Sequence, residues 1–118
     1  MKISKIVDLI SAEVVLGNEW IGENVKAAFG SDLMSDVLAY AHDEAVLITG
    51  LMNNQVIRTA DMLDLKAIIF VRGKIPTEEV LSLACEHEMV IATTPITLYE
   101  ASGILYSNGL KSVEMGDK

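Results

Sequence analysis

Short apolar runs alternate with amphipathic segments along most of the chain. Ile3, Ile6 and Ile10 are separated by three and four residues, which predicts a short amphipathic helix at the start. Residues 12–16 are predicted to form a strand, and residues 19–24 to form a loop. The first part of the chain therefore contributes one helix and one strand.

A strand-to-helix pattern then repeats four times, at intervals of about twenty residues. The predicted strands are 25–29, 45–48, 66–71 and 89–92, and the helices that follow them are 33–41, 54–63, 77–88 and 97–107. Short aliphatic strands that alternate with helices predict an α/β fold. We expect a mainly parallel sheet with helices on both faces.

The predicted helices begin at residues that suit helix N-termini. Ser31 or Asp32, Asn53 and Thr77 are expected to cap three of them, because their side-chain oxygens accept hydrogen bonds from free backbone N–H groups. No linker rich in Gly, Pro or Ser divides the sequence, so we predict that all 118 residues form a single domain. Its polar end, 110–118, is expected to be a frayed tail.

The net charge of the chain excludes some classes of binding partner. Nine Lys and Arg residues stand against seventeen Asp and Glu residues, for a net charge of −8. Such a surface repels the phosphates of nucleic acids and of anionic lipids, so neither nucleic acid nor membrane is expected as a partner. The sequence has no signal-peptide pattern, and its single cysteine cannot form an internal disulfide. We therefore expect a cytoplasmic protein.

Motifs for catalysis and for cofactors are absent from the sequence. It contains neither the P-loop pattern G-x-x-x-x-G-K-[ST] nor the dinucleotide loop G-x-G-x-x-G. His42 and His87 are expected to be solvated helix-end residues, and Cys85 to be a buried structural thiol. We therefore predict no catalytic residue, no metal site and no cofactor.

Polar residues instead gather where the predicted strands end. Ligands of parallel sheets bind outside the carboxyl ends of the strands, beside helix N-termini. The residues expected there are Ser31, Thr49, Gly50, Asn53, Arg72, Gly73, Thr93 and Thr94. The guanidinium of Arg72 and the threonine hydroxyls can hold a small anion or a nucleotide. In the alternative interpretation, Ser31, Asn53 and Thr97 only cap helices and Arg72 pairs with an acid such as Glu78.

The same turns carry a resemblance to a known family. The resembling stretches are 29–37, with the sequence FGSDLMSDV, 47–50 (LITG), 67–73 (AIIFVRG), 90–94 (VIATT) and Thr97. They resemble the DRTGG domain, a bacterial and archaeal family of about this length. Its members occur alone or beside CBS domains, in some inorganic pyrophosphatases and phosphate acetyltransferases, and a similar fold forms the N-terminal domain of HPr kinase/phosphorylase. The resemblance implies a dimerising regulatory accessory without catalysis of its own.

This chain departs from the family pattern at three turns. Gly50-Leu51-Met52 stands where the family often has Gly-Asp-Arg, and Arg72-Gly73 stands where it has Gly-Gly. Before the last helix, Ile96-Thr97 replaces Asp-Thr. Polar positions that indicate a shared ligand site in the family are thus partly apolar here.

Two classes of function follow from these patterns. The first is a non-catalytic regulatory or interaction module, a homodimer that senses a small anion or a nucleotide. Leu51 and Met52 place apolar side chains at a turn, which favours contact with a second protein there as much as contact with a ligand. The alternative is a small-metabolite enzyme in which Arg72 and the threonine hydroxyls hold an anionic substrate and an Asp acts as base. No nucleophile–base pair with suitable spacing supports the enzyme.

Overall fold

A six-stranded sheet lies at the centre of the computed structural model, which describes residues 1–115. The strands are β1 (Glu13–Leu16), β2 (Ala27–Gly30), β3 (Ala45–Thr49), β4 (Ala67–Phe70), β5 (Val90–Thr93) and β6 (Lys111–Ser112). The α-helices are α1 (Ile3–Leu9), α2 (Met34–Tyr40), α3 (Asn54–Met62), α4 (Glu78–Cys85) and α5 (Leu98–Ser107), and a short 3₁₀ helix (Asn18–Trp20) follows β1. Between residues 1 and 115, no helix combines the length and the apolar character that crossing a membrane requires.

The strands are arranged in the order β1-β5-β4-β3-β2-β6. Every neighbouring pair is parallel except β1 and β5, which run antiparallel. Helices α1 and α5 pack on one face of the sheet, and α2, α3 and α4 pack on the other. This arrangement confirms the predicted fold class, a mainly parallel sheet with helices on both faces.

The two central strands, β3 and β4, are buried along their whole length. Successive side chains of a strand point to opposite faces, so Leu47 packs in the layer of α2–α4 and Ile48 in the layer of α1 and α5. Ile68 and Ile69 divide between the layers in the same way. Because helices cover both faces, these strands are apolar at every position rather than at alternate ones.

The chain stays ordered beyond the point where the sequence predicts fraying. Lys111 and Ser112 pair with the edge strand β2, while Leu110 and Val113 are 3% and 4% exposed. A spacing of three along an extended chain points two side chains to opposite faces. Leu110 accordingly packs with α1 and α5, and Val113 with α2–α4. The frayed tail predicted for 110–118 is thus wrong for residues 110–113, and residues 116–118 lie outside the described residues.

Removing the buried part of Val113 should therefore destabilise the fold. Val113→Ala deletes two methyl groups from a closed core and should lower the free energy of unfolding by roughly 1–3 kcal/mol. Met115→Ala is the control, because the Met115 side chain is half exposed and should cost less than about 0.5 kcal/mol. Urea unfolding measures both variants. Equal stabilities for the two would mean that the end of the chain does not pack as described.

Candidate functional site

Four loops meet at the carboxyl edge of the sheet, which is the edge where β2, β3, β4 and β5 end. The parallel register of these four strands brings their last residues side by side. The eight residues predicted from the sequence all lie at or just after these strand ends, as Ser31 after β2, Thr49, Gly50 and Asn53 at β3, Arg72 and Gly73 after β4, and Thr93 and Thr94 at β5. Their side chains nevertheless have different roles.

Asp32 links the loop after β2 to the loop after β3. Its Oδ1 accepts hydrogen bonds from the Thr49 hydroxyl at 2.9 Å and from the Gly50 N–H at 2.7 Å. The Thr49 oxygen in turn accepts from the Leu51 N–H at 3.1 Å. Asp32 therefore satisfies donors of the neighbouring loop. The expectation that it caps α2 is wrong, because the N-cap residue of α2 is Leu33 and no side chain caps this helix.

The same contacts keep Asp32 ionised. The Gly50 N–H lowers the pKa of the Asp32 carboxyl below its ordinary value, against the opposing effect of partial burial. The Thr49 hydroxyl and the positive charges of Arg72 and Lys74 lower this pKa further. At neutral pH the carboxylate is charged, and it can only accept hydrogen bonds.

Arg72 reaches from the loop after β4 across the edge to the loop after β3. Its backbone has a φ of 62°, in the left-handed region, and its N–H donates to the Ile96 carbonyl at 2.8 Å. The guanidinium lies directly over Gly50, where a Cβ would be 2.5 Å from Nη1 and 2.7 Å from Nη2. Only glycine leaves room for this side-chain position. The exposed guanidinium forms no ion pair in the described part of the chain, so the alternative pairing with Glu78 is not seen.

Several other predicted residues have structural roles instead. The Thr94 hydroxyl is buried and donates to the Ile10 carbonyl at 2.6 Å, which joins the end of β5 to the end of α1. Asn53 caps α3 by accepting from the Val56 N–H, and Ser31 accepts from the Leu33 N–H at 3.0 Å. The capping alternative is thus confirmed for Asn53 and for Thr97, whose hydroxyl accepts from the Glu100 N–H at the start of α5. It is wrong for Ser31, which closes a turn but caps no helix, because Leu33 is the N-cap of α2.

Gly73, Thr93 and Thr94 lie on the other side of Arg72. The Gly73 N–H donates to the Thr94 carbonyl at 2.9 Å, which fixes the loop after β4 against the end of β5. Together with Glu13 and Ile75 they line a shallow cleft beside β1. The Arg72 side chain points away from this cleft, toward β3. The structure therefore gathers Thr49, Gly50 and Arg72 into one cluster and leaves the threonines of β5 in another.

Two charged residues of the first cluster are missing from the predicted set. Asp32 supplies its carboxylate, and Lys74 lies close enough to lower the pKa of that carboxyl. Both could have been found from the sequence. Asp32 follows the end of a strand in the same position as the other loop residues, and Lys74 shares the Arg72-Gly73 turn.

The remaining reactive side chains lie elsewhere. His87 Nδ1 lies 2.9 Å from Asp61 Oδ1, so this imidazole is paired rather than solvated. Cys85 is exposed, and the prediction of a buried thiol is wrong because Val80 and Ala84 occupy the inward face of α4. Among residues 1–115, no three His, Cys, Asp or Glu side chains are grouped so that they could hold a metal ion.

The charge on Asp32 should contribute to stability in a pH-dependent way. Asp32→Asn keeps an oxygen for Thr49 and Gly50 but removes the charge. The pKa of Asp32 is lower in the folded protein than the value of about 3.9 in an unfolded chain. Its stabilising contribution is therefore complete above that pH and is lost as pH falls through the folded-state pKa.

Urea unfolding at neutral pH should find the wild type more stable than Asp32→Asn. The difference should shrink as pH falls below the unfolded-state pKa of about 3.9. Asp8→Asn is the control, because the exposed Asp8 carboxylate has no hydrogen-bond partner in the described chain. A difference that stays constant with pH would contradict the proposed role of the Asp32 charge.

Comparison with known proteins finds a similar structure but no similar sequence. The sequence matches no protein-family model and no curated protein. The structure is similar to the crystal structure of the CBS and DRTGG domains of the regulatory region of Clostridium perfringens pyrophosphatase, complexed with the activator diadenosine tetraphosphate. The TM-score is 0.71 at 18% sequence identity, over 97% of this chain and 48% of that chain. This chain therefore spans about half of its structural neighbour, and the likeness supports a DRTGG-like fold.

Proposed function

We propose that this chain is a non-catalytic regulatory module that binds a small anion or a nucleotide at the carboxyl edge of its sheet. The observation that supports this most directly is the position of Arg72. Its guanidinium lies over Gly50 and is not neutralised by an ion pair within residues 1–115. A planar guanidinium with free N–H groups binds the oxygens of phosphate or carboxylate in pairs.

Local charge also favours an anion at this place. Arg72 and Lys74 extend from the same loop, against the single carboxylate of Asp32, on a protein with a net charge of −8. The rest of the surface repels anions at long range, so affinity must come from direct contact with these two cations. Binding should therefore weaken as salt concentration rises.

The surroundings of Arg72 favour binding over catalysis. The Thr94 hydroxyl donates to the Ile10 carbonyl, so it is not paired with a base, and the Thr49 hydroxyl has only the Asp32 carboxylate as its acceptor. His42 and His87 precede β3 and β5 and thus lie toward the opposite edge of the sheet. Asp32, with its lowered pKa, is a weak base at neutral pH. No observation favours the alternative of a small-metabolite enzyme.

The structural neighbour indicates which anions to test. It belongs to the regulatory region of an enzyme and was crystallised with a nucleotide activator. We extend this to the present chain as part of the proposal, with a nucleotide as the first class of ligand. A cytoplasmic location, where nucleotides are abundant and thiols such as Cys85 stay reduced, belongs to the same proposal.

Arg72→Ala should abolish most of the stabilisation that an anionic ligand provides. A ligand at about 100 times its Kd adds roughly 2.7 kcal/mol, which raises the Tm of a domain of this size by several degrees. Thermal-shift measurements with ATP, diadenosine tetraphosphate and inorganic phosphate test this. Arg58→Ala is the matched control, because Arg58 is the other arginine and is exposed on α3. Equal shifts in Arg72→Ala and wild type would place the ligand elsewhere.

Gly50→Ala tests the same site without removing the guanidinium. The three atoms nearest to the new Cβ all belong to the flexible end of Arg72, so the fold should survive while the guanidinium is displaced. The ligand-induced rise in Tm should fall, whereas Gly22→Ala, with open space around the new Cβ, should leave it unchanged. An undiminished rise in Gly50→Ala would contradict a site centred on this side-chain position.

We further propose that the module acts as a homodimer through the outer face of α5. Tyr99 and Tyr106 are 89% and 71% exposed and lie seven residues apart, on the same side of the helix. Gly103 lies between them, and apart from its chain neighbours and the backbone of its own helix no atom lies within 4 Å of the place where its Cβ would be. Two large rings on either side of an open backbone suit the packing of one α5 against another about a two-fold axis.

Light scattering coupled to size exclusion should give twice the chain mass of 12.8 kDa at tens of micromolar. Tyr106→Glu should convert the dimer to a monomer, because it places a charge in the apolar contact. Met62→Glu is the control, since Met62 is 72% exposed on α3, on the opposite face of the sheet. A wild-type mass of 12.8 kDa would contradict the dimer.

A further inference from the structure

Asp32 occupies the position in which a bound anion would be expected. The Thr49 hydroxyl and the Gly50 N–H stand at the end of β3, before the N-terminus of α3, where phosphate groups commonly bind. Here both groups donate to Asp32 Oδ1, at 2.9 Å and 2.7 Å. A phosphate cannot use these two donors without displacing a carboxylate that already carries the same sign of charge.

The other oxygen of Asp32 remains open to a ligand. Asp32 is exposed, and its Oδ2 has no hydrogen-bond partner among residues 1–115. The two contacts at Oδ1 hold the carboxylate in place. An ionised carboxylate fixed in this way presents acceptor sites only, so a ligand that meets it must bring hydroxyl or amine donors.

The cations stand near this acceptor without neutralising it. Arg72 and Lys74 act on Asp32 through space, and neither forms an ion pair with it in the part of the chain that the structure describes. The position of the Arg72 guanidinium over Gly50 keeps its N–H groups on the loop that Asp32 holds. The edge thus has a hydrogen-bond acceptor, the Asp32 carboxylate, and beside it two positively charged side chains, Arg72 and Lys74.

We propose that the ligand is a ribonucleotide, whose ribose hydroxyls donate to Asp32 while its phosphate is held by Arg72 and Lys74. This inference rests on the proposed function, because it assumes that an anion binds at Arg72. A vicinal diol offers two adjacent O–H donors, which suit a carboxylate, and the 5′-phosphate supplies the negative charge on the same small molecule. Asp32 then selects against simple anions, which bring charge but no donors.

Two ligands that differ only in the diol separate this inference from the proposed function. ATP and 2′,3′-dideoxy-ATP carry the same base and the same phosphates, and isothermal titration measures the Kd of each. Hydrogen bonds to a charged acceptor should make ATP bind the wild type roughly tenfold or more tightly than the dideoxy compound. Tripolyphosphate, with charge but no ribose, should bind more weakly than ATP.

Two variants test whether Asp32 causes the preference for ATP over the dideoxy compound. Asp32→Asn should bring the two Kd values close together, whereas Asp36→Asn, which changes an exposed acid on the adjacent helix, should keep the preference. If ATP and the dideoxy compound bind the wild type equally and Arg72→Ala weakens both, the diol inference is wrong and the anion site stands. If neither nucleotide nor tripolyphosphate binds the wild type, both are wrong. The wild-type comparison decides the inference even if Asp32→Asn fails to fold.

Discussion

The burial of β3 and β4 between two layers of helices determines the rest of the architecture. Both strands are closed to solvent along their whole length, so their residues must be apolar and their connections must run through helices on the faces. Parallel strands connected in this way all end at the same edge of the sheet. Polar groups of four separate loops therefore meet at one place although they lie far apart in the sequence.

At that edge, one internal contact organises the site. Asp32 binds the loop of Thr49 and Gly50, which holds Gly50 where the Arg72 guanidinium can lie over it. The left-handed backbone of Arg72 is fixed by its bond to Ile96, so the guanidinium is directed by the loop rather than by a partner acid. The loop that carries the guanidinium is thus fixed by backbone hydrogen bonds before an anion binds. Little ordering of the loop would then oppose binding.

The fold could be predicted from the sequence because its signals are local. Apolar runs, helix caps at Asn53 and Thr77, and the repeat of strand and helix give nearly every element. The end of the chain could not be predicted in this way. Leu110 and Val113 show no helical or strand-like repeat, and they are buried only because β2 offers a free edge beside them.

The site was only partly predictable, because side-chain direction depends on contacts between loops. Arg72 and Gly50 belong to one cluster as expected, but the Thr94 hydroxyl faces inward to Ile10. Asp32 has the sequence context of a helix cap, and only its approach to the next loop gives it another role. A residue pattern shows which groups reach the edge. It does not show which of them are already used by the protein itself.

The location of nucleotide binding tests the central claim most directly. Titration of ATP into uniformly ¹⁵N-labelled protein, followed by amide chemical shifts, reports the site without any substitution. The account predicts the largest shifts at Asp32, Gly50, Arg72 and Gly73, the residues around the guanidinium at the carboxyl edge. Shifts concentrated instead around Asp61 and His87 at the opposite edge, or no shifts at all, would contradict it.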